Sequence, residues 1–241
     1  MKKIALLLAG VVLFFSSCDE IASRTIKGNG NIVKETRSVT KANKIEIAGS
    51  FIVELTPSAT TTVEVEGDDN LIGHVITKMR GDVLVIRPEE DTRLRTDHKI
   101  YIRIGTDMLD ELDITGNSTV TSKGKFTGSN KMEVDLSGNG TITLDVNTPS
   151  IEADISGSGN IILSGETKDL TAQITGSGDI RASELKAETA DVSITGSGNV
   201  HVFAGNKISA DITGSGDVFY KGNPPTVDAN TTGSGKVKKE E

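Results

Sequence analysis

The sequence predicts an all-β fold: a right-handed parallel β-helix, or β-solenoid, of about 19-residue coils, preceded by an irregular β-rich amino-terminal section. Three observations carry this. Glycine clusters recur at almost constant spacing, the residues before them alternate apolar and polar with period two, and aromatic residues make up only 3% of the chain, with no tryptophan. A narrow coil core takes small and branched side chains, so a scarcity of aromatics fits it.

Taken by the first glycine of each cluster, Gly116, Gly138, Gly157, Gly176, Gly196, Gly214 and Gly233 are separated by 22, 19, 19, 20, 18 and 19 residues. The segments leading into them, MEVDLSG, IEADISG, LTAQITG, ADVSITG and ISADITG, read as strands. Their alternation sets Met132, Val134 and Leu136 on one face, then Ile151, Ala153 and Ile155, and so on to Ile208, Ala210 and Ile212. It resumes after each cluster, as in Ile142 and Leu144, Ile161 and Leu163, or Val218 and Tyr220. A unit this short cannot bury its own apolar stripe; parallel stacking at ~4.8 Å per coil closes a shared core. The glycine supplies positive φ at the corner between two strands. Beside it runs a column of Asn117, Asn139, Ser158, Ser177, Ser197, Ser215 and Ser234, whose side chains are expected to hydrogen-bond from coil to coil.

In chain order, residues 1–17 read as a secretion leader, with Lys2 and Lys3, an apolar run from Ile4 to Phe15, then Ser16 and Ser17. The run is too short to remain as a membrane span. The following Cys18 is the only cysteine, and FFSSC resembles a bacterial lipobox, which makes Cys18 the lipidation site. Residues 18–25 then form a lipid-anchored tether. Residues 26–112 are the irregular section, in which IKGNGNIV around Gly28 and IEIAGSFIVEL around Gly49 read as two degenerate coil copies. TTVEVEGDDN, GDVLVIRP and HKIYIRIG read as strands, and Asn70–Met79 as a short helix. This section is expected to cap and continue the coil stack that residues 113–241 form. The closing KVKKEE is charged enough to discourage end-to-end strand pairing.

The chain carries a formal charge of -8; loss of Lys2 and Lys3 leaves 24 basic against 34 acidic residues, a net -10. Such a surface repels nucleic acid and anionic headgroups, so membrane contact is expected through the lipid alone. Asp19 and Glu20, directly after Cys18, resemble surface-export signals of some Gram-negative lipoproteins. The expected location is the cell envelope, as an outer-membrane lipoprotein exposed at the surface.

The lipobox, the GNGN near the mature start, IEIAGSFIVELT, GDVLVIRP and the serial ITGSG units together resemble the head GIN domain family of auto-transporter adhesin heads, from about Gly28 to Val237. The resemblance implies a β-helix-like fold in a cell-envelope protein.

The glycine clusters do not make a dinucleotide fingerprint, because GSGDVF and GSGNVH lack the third glycine and lead into a strand. Calcium is held open, since GSGD at Gly176 and Gly214 resembles a calcium-binding nonapeptide; yet the aspartate alternates with Thr119, Thr141, Asn160 and Asn199. An outward acidic column comprises Glu111, Asp113, Glu133, Asp135, Glu152, Asp154, Asp191, Asp211 and Asp228. Its aspartates Asp113, Asp135, Asp154 and Asp211 are the candidate partner-binding residues. A polysaccharide lyase or hydrolase needs a carboxylate pair or a base in a cleft, and the column distinguishes no pair. His74, His98 and His201 are far apart in sequence, and Phe51, Tyr101, Phe126, Phe203, Phe219 and Tyr220 are too few for sugar platforms. The sequence therefore points to a non-catalytic, adhesin-like scaffold for an envelope or extracellular protein or glycan. A polysaccharide-active enzyme and a self-stacking assembly module are the alternatives.

Overall fold

The computed structural model describes residues 24–240; the leader and Cys18 lie outside the described residues. The amino-terminal section holds β1 (Arg24–Lys27), β2 (Ile32–Arg37), β3 (Lys44–Gly49), β4 (Ile52–Pro57), β5 (Thr62–Asp68), α1 (Asp69–Ile72), β6 (Val75–Arg80), β7 (Val83–Pro88), β8 (Thr92–Arg95) and β9 (Tyr101–Thr106). The repeats follow as β10 (Glu111–Gly116), β11 (Thr119–Thr127), β12 (Lys131–Gly138), β13 (Thr141–Gly157), β14 (Asn160–Gly176), β15 (Asp179–Gly196), β16 (Asn199–Gly214), β17 (Val218–Lys221), β18 (Thr226–Gly233) and β19 (Val237–Lys239).

The repeats stack as a parallel β-solenoid of about seven turns with coils of about 20 residues. From β10 onward the seven corner glycines pair in register, Gly116 on Gly138, then Gly157, Gly176, Gly196, Gly214 and Gly233. Each has positive φ, as at Gly196 (133°), and a Cβ there would stand 2.1 Å from the carbonyl oxygen of Gly176. Glycine is thus required twice, for the corner's dihedral and for the approach of the coil below. The alternation holds as read: Ile194 is 1% exposed and Ser193 faces solvent. The inward positions depart from burial only toward the carboxyl end, where Tyr220 and Val237 are partly buried and Val227 and Ala229 of β18 are exposed.

The stack begins before the repeats. β10 lies on β3, with Gly116 on Gly49, and β11 lies on β4, so the Gly49 copy is a true coil. On the far side of β3 and β4, β7 and β9 add one more parallel layer, and antiparallel β6, β5 and β2 then close the end. Switching from parallel to antiparallel pairing ends the coil path, which is how this section caps the rod.

Three expectations need correction. The Gly28 copy is no coil, because β1 pairs with β8 instead. Its GNGN loop is knitted to α1: Gly30 N–H donates to Asp68 Oδ1 at 2.5 Å, while the Asn29 and Asn31 amides donate to the Asp69 carboxylate at 2.6 Å each. The helix over Asn70–Met79 shrinks to the single turn of α1; Val75 onward is strand, held by the β7 hairpin and the burial of Val75. The Asn/Ser column is bonded mainly through backbone, as where Ser197 N–H donates to Gly176 O at 2.8 Å. A side-chain link within it joins Ser234 to Ser215 at 3.1 Å.

The carboxyl end is thinner. All eight residues of β18 are exposed, Val227 at 43%, because no later coil covers them.

Candidate functional site

The acidic column resolves into two adjacent ladders on the face built by β3, β10, β12 and the later halves of β13 to β16. One holds Glu111, Glu133 and Glu152 on successive coils, then Thr171, Asp191, Ser209 and Asp228. The other holds Asp113, Asp135 and Asp154, then Gln173, Ser193 and Asp211. Period two places both ladders outward, two residues apart on each strand. Asp113, Asp135 and Asp154 are thus immediate neighbours, at ~4.8 Å between strands. Asp211 stands apart, beyond Gln173 and Ser193, and accepts a 3.0 Å hydrogen bond from Asn230 Nδ2.

The two ladders differ in how their charge is balanced. Lys131 Nζ lies 2.6 Å from Glu133 and 2.7 Å from Glu152, Lys44 lies 3.2 Å from Glu111, and Arg80 pairs with Glu46 at the foot of the aspartate ladder. Asp113, Asp135 and Asp154 form no ion pair among the described residues. They are half-buried, and Asp154 Oδ1 is shut from solvent without a hydrogen-bond partner. Burial, followed by the charges of Asp154 and Asp113, pushes Asp135 up to about 6. Burial first, then Glu46 and Glu111, also raises Asp113. Burial and Glu152 raise Asp154, against the opposing pull of Lys131. Of the three, Asp135 is the one that feels both of the other aspartates. Chemically, the row can accept a cationic group from a partner or take up protons.

The GSGD aspartates do different work. Asp179 Oδ1 accepts the Asn199 backbone N–H at 3.2 Å, and Asp217 Oδ1 accepts that of Lys236 at 2.8 Å. Asp217 Oδ2 also receives Lys238 Nζ at 2.5 Å. Their carboxylates thus knit one coil to the next, and among the described residues no group of three or more His, Cys, Asp or Glu is placed to hold a metal ion.

The histidines do not converge. His74 Nδ1 is 2.7 Å from Glu89 Oε2, His98 lies in the loop before β9, and His201 stacks on Phe219 with ring centroids 4.6 Å apart. That last contact belongs to an outward ladder on the face built by the first halves of β14 to β16 with β17 and β19: Ile162, Arg181, His201, Phe219 and Lys238. Taking the residue after the first buried position of each of β14 to β17 (Ile161, Ile180, Val200 and Val218) finds it from the sequence. Lys238 Nζ lies 5.0 Å over the Phe219 ring and Lys186 Nζ 4.2 Å over Phe203. Phe219 is therefore enclosed within its own ladder rather than offered as a sugar platform.

The family model described as "Putative auto-transporter adhesin, head GIN domain" matches residues 42–224. A putative adhesin from Bacteroides fragilis superposes with a TM-score of 0.85 at 22% identity, covering 89% of this chain and 100% of its own. A putative lipid binding protein from Parabacteroides distasonis gives 0.77 at 25% identity, covering 90% and 100%. A putative adhesin from Parabacteroides merdae gives 0.70 at 24% identity, covering 90% and 99%. No curated protein matches the chain.

Proposed function

Because the chain belongs to the head GIN domain family, whose described role is that of an adhesin head, we propose that it is a non-catalytic cell-envelope lipoprotein whose solenoid presents the aspartate ladder to an external protein or glycan. The observation that carries this reading is the unneutralised row Asp113, Asp135 and Asp154, set beside a glutamate row that has its lysines. A cationic partner group would offset the burial and the neighbouring charges that raise Asp135, so contact and charge balance arrive together. Attachment is strongest with the row ionised and weakens as pH falls through about 6. The lipid on Cys18 would hold the rod at the outer membrane. The family's described role favours binding over catalysis.

The test is direct. The mature chain is coupled to beads, and bead attachment to a panel of extracellular proteins and charged glycans is scored at rising salt. The expected result is attachment that declines with salt and is lost in the Asp113→Asn, Asp135→Asn, Asp154→Asn variant. Oligosaccharide release by the wild type that vanishes in the same variant would make the row an active site and overturn the reading.

A further inference from the structure

The geometry points to a second contact surface, a basic ribbon that seats the amino-terminal end of the rod on an anionic bilayer. The ribbon is the two-stranded parallel sheet of β1 and β8, with Thr25 beside Arg93, Ile26 beside Leu94 and Lys27 beside Arg95. Its two faces differ. Ile26 and Leu94 turn inward, and Leu94 packs on the core. Thr25, Lys27, Arg93 and Arg95 are exposed on the other face, with Arg24 and Lys99 exposed at the ends.

These cations are uncommitted. None of Arg24, Lys27, Arg93, Arg95 and Lys99 enters an ion pair among the described residues, whereas Arg37, Arg80 and Arg87 nearby pair with Glu35, Glu46 and Glu90. The carboxylates flanking β8 are Glu89, Glu90 and Asp91 before it and Asp97 after it; of these, Glu90 is paired with Arg87 and Glu89 lies against His74. The ribbon is therefore locally positive on a chain whose net charge is strongly negative, and whole-chain charge hides it.

Its position names the occupant. Arg24 lies six residues after Cys18, a reach of about 20 Å even when fully extended. With Cys18 lipidated, the ribbon is held at the headgroups, where each Lys or Arg strengthens binding to an anionic leaflet roughly fivefold. The aspartate ladder, on coils further along the rod, carries the opposite charge and is repelled from the same leaflet. Tether, ribbon and ladder together orient the rod with its acidic face toward partners. The lipid supplies only the orientation in this argument, so the ribbon is testable without it.

The experiment uses the mature chain with Cys18→Ser, which cannot be lipidated, and co-sediments it with vesicles of equal parts phosphatidylglycerol and phosphatidylcholine, or of phosphatidylcholine alone. At low salt the protein should partition to the anionic vesicles only. The Lys27→Gln, Arg93→Gln, Arg95→Gln variant should lose about a hundredfold, at fivefold for each charge. Arg93→Lys with Arg95→Lys should retain binding, since a bilayer reads charge and not guanidinium geometry; all substitutions lie on an exposed face, and an unchanged unfolding midpoint verifies the fold. Equal partitioning of wild type and Gln variant would overturn the proposal. So would a salt-sensitive dimer without vesicle binding, lost in both the Gln variant and the aspartate-ladder variant, because the ribbon would then be meeting a second copy's acidic face.

Discussion

Asp135 and Asp68 show how one residue type takes opposite roles within the same chain. Asp135 is raised to about 6, chiefly by burial, so the folded state holds a proton that the unfolded chain has released. Its ionisation costs stability as pH rises from the unfolded value near 3.8 through about 6, and the cost is complete above that. Asp135→Asn is therefore expected to raise stability at pH 7 by ~1–2 kcal/mol after discounting solvent screening, and to flatten the slope between pH 4 and 6. Chemical denaturation across that range measures it. Asp68 runs the other way: hydrogen bonds from Thr96 Oγ1 and Gly30 N–H, at 2.5 Å each, hold its carboxyl below the usual range despite burial. Its contribution is present above the unfolded pKa and lost as pH falls through the depressed one. Asp68→Ala should cost ~2–3 kcal/mol by leaving those donors without their acceptor, and should loosen the GNGN loop, seen as faster amide exchange at Gly30.

At the scale of a strand, the period-two pattern is the controlling device. Ile194 and Ser193 are adjacent in sequence but lie on opposite faces of β15. Ile194→Asp should cost ~3 kcal/mol or more by burying an unpaired carboxylate, whereas Ser193→Asp should stay within ~1 kcal/mol despite its neighbour Asp211. Gly196→Ala should cost ~2 kcal/mol through its φ of 133°, with the clash on Gly176 O added. Thermal unfolding of the three variants checks the register. The coils were legible in the sequence because each repeats the same demands: glycine at the corner, branched residues inward. The cap was less so, since it obeys those demands only in β3 and β4. The GNGN loop imitates a corner, yet Gly30 serves the carboxylate of Asp68 and its two asparagines that of Asp69, about forty residues away. Val75 to Met79 fits a helix or a strand by pattern, and pairing with β7 decides it. The aspartate ladder could be read as a column, but not its division from the glutamates, because Lys131 and Lys44 neutralise only one side.

The whole molecule is a rod with unlike ends. One is closed by antiparallel strands and begins at the basic ribbon; the other stops at β18 with its residues exposed. In a solenoid each coil contacts only its neighbours, so opening is expected to begin at the exposed end and spread inward. Amide exchange should accordingly be fastest in β18 and β19 and slowest in β12 to β14. Cys18→Ala should abolish fatty-acid labelling and, in high salt that screens the ribbon, move the protein from the membrane to the soluble fraction; continued labelling would remove the tether from the account. The central claim is that the aspartate ladder serves binding at the expense of stability. The measurement that tests it most directly follows the Asp113→Asn, Asp135→Asn, Asp154→Asn variant at pH 7, recording its unfolding midpoint and its attachment to the external panel side by side. A higher midpoint with lost attachment is the predicted result; an unchanged or lower midpoint with attachment intact would contradict it.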